Sequence, residues 1–129
     1  MPRILVIDDS EFDRRMITRA MKRVDDSLTF AELDNGRKIS ETMLRVRPDL
    51  VLLDIRMPGF GGFDVLEIIK DDEDFCDCHV VMISGSSSDG DKIMAVKKGA
   101  SGYFTKPSSQ LGYTEIAQEI KSQFFEHAA

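Results

Sequence analysis

The chain has 129 residues, 42% of them hydrophobic, and a formal net charge of −6. That length suits a single domain, residues 1–129, with one well-filled core, and the acidic balance argues against direct nucleic-acid binding, since phosphate backbones need clustered Lys and Arg. No apolar run reaches the length of a membrane span and no signal-peptide pattern opens the chain, so a cytoplasmic protein without membrane insertion is expected.

Arg3 to Asp9 (R-I-L-V-I-D-D) reads as an aliphatic strand that ends in two acids. Ser10 is the expected N-cap of a first helix, with Phe12, Met16, Ile17, Ala20, Met21 and Val24 at helical spacing. Leu28 to Leu33 alternates more and is less apolar, as an edge strand would be. Asp34-Asn35-Gly36 is a turn, and the second helix carries Ile39, Met43 and Val46 until Pro48 stops it. Leu50 to Leu53 is a continuous aliphatic run that leads into Asp54 and then a loop broken by Pro58, Gly59, Gly61 and Gly62. Such a run suits a strand buried on both faces.

A third helix is expected over about Gly62 to Asp71, burying Val65, Leu66 and Ile69. His79 to Ser84 is another aliphatic strand, and it ends in a hydroxyl. A short helix from about Asp89 to Lys98 ends at Gly99, placed as a C′ glycine. Gly102 to Thr105 is a short strand followed at once by Lys106-Pro107, and a last helix is expected from about Tyr113 to Glu126. Cys76 and Cys78 with His79 lack further ligands at zinc spacing, so they read as ordinary reduced thiols.

Five βα units with short connections define an α/β fold with a parallel sheet covered on both sides. The first, third and fourth strands are the most aliphatic and should be central. Right-handed crossovers then favour the doubly wound, flavodoxin-like order 2-1-3-4-5, with its switch point between strands one and three. The C-terminal ends of those two strands carry Asp8, Asp9 and Asp54, and Ser84 and Lys106 end their neighbours.

Three carboxylates gathered at one edge repel unless a cation neutralises them. Hard oxygen ligands suit Mg²⁺, which keeps waters for substrate phosphate. Lys106 supplies a point positive charge for phosphate, Ser84 a hydroxyl donor, and Asp54 a carboxylate able to act as nucleophile. Singly, each residue has an ordinary explanation: Asp8-Asp9 could favour a helix dipole, and Lys106 could be a solvated strand-end lysine. Their joint placement at adjacent strand ends favours phosphoryl chemistry.

Asp8-Asp9, Asp54 with Met57-Pro58, Ser84-Gly85 and Lys106-Pro107 together resemble the response-regulator receiver domains of two-component signalling, and Gly99 to Pro107 (G-A-S-G-Y-F-T-K-P) is similar to the chemotaxis type. The resemblance covers Arg3 to about Phe124. It implies that Asp54 is the phosphoacceptor, served by a histidine kinase or a phosphotransfer protein. It also implies that Asp9, Asp54 and the main-chain carbonyl of Arg56 bind Mg²⁺, with Asp8 acting mainly through water. Ser84 would donate to the phosphoryl group and Lys106 would pair with it. Ser84 and Tyr103 would form the switch to a target-binding face on the fourth helix, fifth strand and fifth helix, where Phe125 falls off its helix's main apolar stripe. With the Lys-Pro pair at the fifth strand's end, the resemblance further implies a cis Lys106–Pro107 peptide.

Two positions depart from the commoner family pattern. Gly61 stands where many members carry an acid, so a less polar, looser loop is expected. Arg56 places a long cation two residues after Asp54, where its guanidinium could pair with Asp9 or Asp54, lie across the phosphoryl group, or remain solvated. The chain stops after the fifth helix, so no output domain is expected within it, and a receiver that acts by binding partners, and is no enzyme beyond its own phosphorylation and dephosphorylation, is expected. The rival is an aspartate-nucleophile phosphatase of the haloacid dehalogenase type, which wants a second acid two residues after the nucleophile. Here Ile55 and Arg56 follow Asp54. A flavodoxin-like cofactor binder would need a glycine- and hydroxyl-rich loop after the first strand, where this chain has Asp8, Asp9 and Glu11.

Overall fold

Strands and helices alternate along the chain as β1 (Arg3–Ile7), α1 (Glu11–Val24), β2 (Thr29–Leu33), α2 (Ile39–Val46), β3 (Leu50–Leu53), α3 (Gly62–Asp71), β4 (His79–Ser84), α4 (Asp89–Lys97), β5 (Gly102–Thr105) and α5 (Gln110–Phe124). The computed structural model of the protein describes residues 2–126. All five strands run parallel in the order β2-β1-β3-β4-β5. The aliphatic strands β1, β3 and β4 are the central ones, as expected, and the half-buried β2 and β5 are the edges.

Period-two alternation splits the central strands between two cores. Leu5, Ile7, Val51, Leu53, Val80 and Met82 face α2 and α3, meeting Ile39, Met43, Val65, Leu66 and Ile69. Ile4, Val6, Leu50, Leu52, Val81 and Ile83 face α1 and α5. Those helices return Ile17, Ala20 and Met21, and Tyr113, Ile116, Ala117 and Ile120, all at helical spacing. Each fully buried Leu or Ile contributes about 1.5–3 kcal/mol through apolar burial, so both faces hold the sheet rigid beneath its C-terminal edge.

The helix ends follow from local chemistry. The Ser10 hydroxyl caps α1 by accepting from the Asp13 N–H at 3.2 Å. Gly99, at φ +96°, takes the left-handed conformation that closes α4. α5 begins at Gln110, earlier than expected, because the Ser109 hydroxyl caps it by accepting from the Gly112 N–H at 3.1 Å. Phe125, expected at the face of α4, β5 and α5, is the C-cap of α5 and packs half-buried against the α1–α5 core. The residues that do stand exposed there include Ile93, Met94 and Val96 of α4 and Leu111 of α5. Among the described residues, no helix is long and apolar enough to cross a membrane.

Candidate phosphoryl-acceptor site

The sheet ladder runs one residue past the strands and so fixes the site. Ile7 and Leu53 are register partners, and the next amide, Asp54 N, donates to the Ile7 carbonyl at 2.9 Å. Asp8 N donates to the Leu33 carbonyl at 3.1 Å, and Lys106 N to the Ser84 carbonyl at 2.7 Å. The backbones of Asp8, Asp54, Ser84 and Lys106 are therefore tied together across four adjacent strands.

Asp8 and Asp54 are buried, at 6% and 4% exposure, and Asp9 is exposed. One ligand atom from each of the three lies within 4.8 Å of the others. Burial first, and then the charge of Asp8, push the Asp54 carboxyl up to about 6 against the pull of Lys106. Asp8 is raised too, again mainly by burial, although it accepts from Lys106 and from the Ser10 N–H at 2.9 Å. The carboxylates are short of positive charge, and three hard oxygen ligands at this spacing fit a divalent cation.

Lys106 Nζ lies 2.8 Å from Asp8 Oδ2, 2.8 Å from Asp13 Oδ2 and 3.6 Å from Asp54 Oδ2. Burial pulls its pKa down, but the bonds to Asp13 and Asp8 outweigh that and the net direction is up. It stays an ammonium at all physiological pH values. Ser84 is fully buried and its hydroxyl accepts from the Ser86 N–H at 3.2 Å, which leaves the O–H as a donor. The Tyr103 hydroxyl donates to the Ser86 carbonyl at 2.6 Å and so reaches the loop that leaves Ser84.

Several residues sit differently from expectation. Arg56 pairs with neither Asp9 nor Asp54; its Nη2 lies 3.1 Å from Asp91 Oδ2 in the first turn of α4. Lys106 already counters Asp8 and Asp54, and the guanidinium reaches across to α4 instead. The Asp91 carboxyl is held below the usual carboxylate range, first by the Ser86 hydroxyl and then by Arg56. The Lys106–Pro107 peptide is trans, not cis, since none of the described peptide bonds is cis; trans is the intrinsic preference even before proline. At Gly61, the Asp64 carboxylate accepts from the glycine N–H at 3.2 Å, so an acid one turn into α3 serves that loop.

Two contributors escaped the sequence reading. Asp13 binds Lys106, but as the third residue of α1 it reads there as a helix-dipole acid. Arg14 donates from Nη1 to the Asp8 carbonyl at 2.6 Å and from Nε to Glu32 at 3.0 Å, which holds the end of β1. Gly62 also matters: a Cβ there would lie 2.0 Å from the Asp54 carbonyl oxygen, so only glycine lets α3 start against the acidic residue. Cys76 and Cys78 are free thiols, and burial pushes the Cys78 thiol up to about 11, away from its thiolate form.

The fold is that of a flavodoxin-like α/β protein whose switch point carries an acid cluster, a lysine and a hydroxyl. Residues 4–118 match the response regulator receiver domain, and the chain belongs to that family, the phosphoryl-accepting modules of two-component signalling. It is 31% identical to the response regulator GacA of Pseudomonas viridiflava over 124 residues, 96% of this chain and 56% of that protein. It is 35% identical to the response regulator PleD of Caulobacter vibrioides over 105 residues, 81% of this chain and 23% of that protein. The chain thus spans about half or less of these curated relatives. Among solved structures, the response regulator domain of Thermotoga maritima CheB aligns with a TM-score of 0.78 at 26% identity, covering 96% of this chain and 93% of that one. The phosphorylated cyanobacterial phytochrome response regulator RcpA aligns at 0.89 and 24% identity, covering 99% and 96%, and shares the fold. The dehalogenase-type alternative gains no support, because the position two residues after Asp54 holds a cation paired with α4.

Proposed function

We propose that Asp54 is the phosphoacceptor and that the chain works as a Mg²⁺-dependent switch rather than as an enzyme on other molecules. The observation that carries this is the buried Asp54 carboxylate with Lys106 Nζ at 3.6 Å and two further carboxylates beside it. An Asp54 oxygen attacks the phosphorus of a phosphohistidine on a histidine kinase or phosphotransfer protein. The new O–P bond forms as the N–P bond breaks, and the leaving imidazole takes the electron pair and is protonated from solvent. Lys106 pairs with one phosphoryl oxygen and the Ser84 O–H donates to another.

Asp9, Asp54 and the Arg56 carbonyl would hold Mg²⁺ directly, with Asp8 acting through water. Bound Mg²⁺ supplies neutralising charge to the carboxylates and to the transferring phosphoryl group. Once Ser84 engages the phosphoryl group, the strain passes along the loop to Ser86 and hence to the Tyr103 hydroxyl. The face of α4, β5 and α5, with Ile93, Met94, Val96 and Leu111 exposed, then changes its affinity for a downstream target protein. The chain reaches neither nucleic acid nor membrane directly on this reading, and it works in the cytoplasm.

Acetyl phosphate, a small phosphodonor, tests the reading. With Mg²⁺ the protein should gain one acid-stable, base-labile phosphoryl group, and with the metal chelated it should gain none. Equal labelling without divalent metal would contradict it.

A further inference from the structure

We propose that Asp13 is a positioning residue for Lys106, the anchor that holds the ammonium beside Asp54 when a metal ion draws on Asp8. This rests on the reading of Asp54 as phosphoacceptor. A lysine ammonium has three N–H donors. Two are met at 2.8 Å by Asp8 and Asp13, and the Asp54 oxygen at 3.6 Å is beyond hydrogen-bond reach. One donor is therefore left on the side of Asp54, where a phosphoryl oxygen would arrive.

The two anchors are not equivalent. Asp8 belongs to the group of three carboxylates spaced for a cation, and Asp13 stands outside it. When that group is neutralised by metal, the field Asp8 exerts on Lys106 weakens, while that of Asp13 does not. Asp13 comes from α1 and Lys106 follows β5, so no backbone ladder joins them, and the side-chain bond is the direct tie between the two. The pocket they share is walled by Ile17 and by the buried Tyr113 of α5, which restricts where the ammonium can go. A four-carbon stem without the second anchor would lose this geometry, and phosphoryl transfer is sensitive to such displacement.

Asp13→Asn isolates the charge, because the backbone Asp13 N–H still donates to Ser10 and the side chain keeps its shape. Two measurements decide. The first is the Lys106 side-chain ammonium resonance in ¹H–¹⁵N spectra of the selectively labelled 129-residue chain, with and without Mg²⁺. In the wild type it should stay resolved in both states. In Asp13→Asn it should persist without metal and broaden beyond detection at saturating Mg²⁺. The second is the rate of phosphorylation by acetyl phosphate at saturating Mg²⁺, expected to fall at least tenfold in Asp13→Asn and to recover in part in Asp13→Glu, with thermal midpoints of the variants closely matched. A resonance unaffected by the substitution in Mg²⁺, or a rate within twofold of wild type, overturns the proposal. Wild type and Asp54→Asn run alongside: equal labelling of those two overturns the Asp54 assignment instead, and the ammonium resonance still decides the anchor.

Discussion

The Tyr103 hydroxyl donates a 2.6 Å hydrogen bond to the Ser86 carbonyl, so the half-buried aromatic of β5 is fastened to the loop that begins at Ser84. That loop is built of successive serine turns. Ser86 N–H bonds to the Ser84 hydroxyl, Ser88 N–H to the Ser86 hydroxyl, and Ser88 caps α4. A pull on Ser84 therefore reaches both Tyr103 and α4 through bonded groups.

Tyr103→Phe removes only that bond. The expected loss is about 0.5–1.5 kcal/mol of global stability, measured by denaturant unfolding, with faster amide exchange confined to the Ser84–Ser88 loop. On adding beryllofluoride with Mg²⁺, shifts in the wild type should extend across α4, β5 and α5, and in the variant should stop near Asp54. Equal spread in both proteins would remove Tyr103 from the switch.

Arg56→Ala keeps the backbone carbonyl and removes an exposed pair with Asp91. Exposed ion pairs are worth about 0–1 kcal/mol, and the guanidinium stands on α4 rather than over Asp54. Mg²⁺ affinity and autodephosphorylation rate should therefore change by no more than about twofold, roughly 0.4 kcal/mol by transition-state arithmetic. A tenfold change in either would mean that Arg56 leaves Asp91 for the phosphoryl group.

Gly62→Ala should be costly. Its Cβ would meet the Asp54 carbonyl oxygen at 2.0 Å, and backbone on both sides must shift to relieve it. Overpacking of this kind costs about 1–3 kcal/mol, and here the displaced group is the backbone of Asp54 itself. Both the unfolding midpoint and acetyl phosphate labelling should fall; an unchanged midpoint would show that the start of α3 moves freely.

The acid cluster also sets a pH dependence in metal-free buffer. Asp54 rises from an ordinary 3.8 to about 6 in the folded chain, so the native state binds a proton more tightly than the unfolded one. Its contribution is fully present below about pH 3.8 and is lost as pH rises through about 6. In EDTA, the stability difference between wild type and Asp54→Asn should thus shift in favour of the wild type as pH is lowered from 7 to 5. A difference that stays flat across that window would place Asp54 in a less buried or better neutralised site.

The sheet was legible because Leu50–Leu53, His79–Ser84 and Arg3–Ile7 are uninterrupted aliphatic runs, and such runs need burial on both faces. Asp8, Asp54, Ser84 and Lys106 were legible for the same reason, since topology alone brings strand ends together. The start of α5 was not, because Ser108-Ser109-Gln110 and Gly112 have loop composition until Ser109 is seen to cap Gly112. Asp13 was hidden by an equally good local explanation, an acid in the first turn of a helix. The partner of Arg56 was not legible, because a long exposed side chain selects its partner by distance in space, and Asp91 lies on another element.

On the proposed function, one carboxylate, Asp54, carries the phosphoryl group. Borohydride reduction of the acetyl phosphate-treated protein converts an aspartyl phosphate to homoserine, which peptide mass spectrometry can locate. The expected result is homoserine at position 54 alone in the wild type and none in Asp54→Asn. Homoserine at position 8, 9 or 13, or undiminished labelling of Asp54→Asn, would contradict the account.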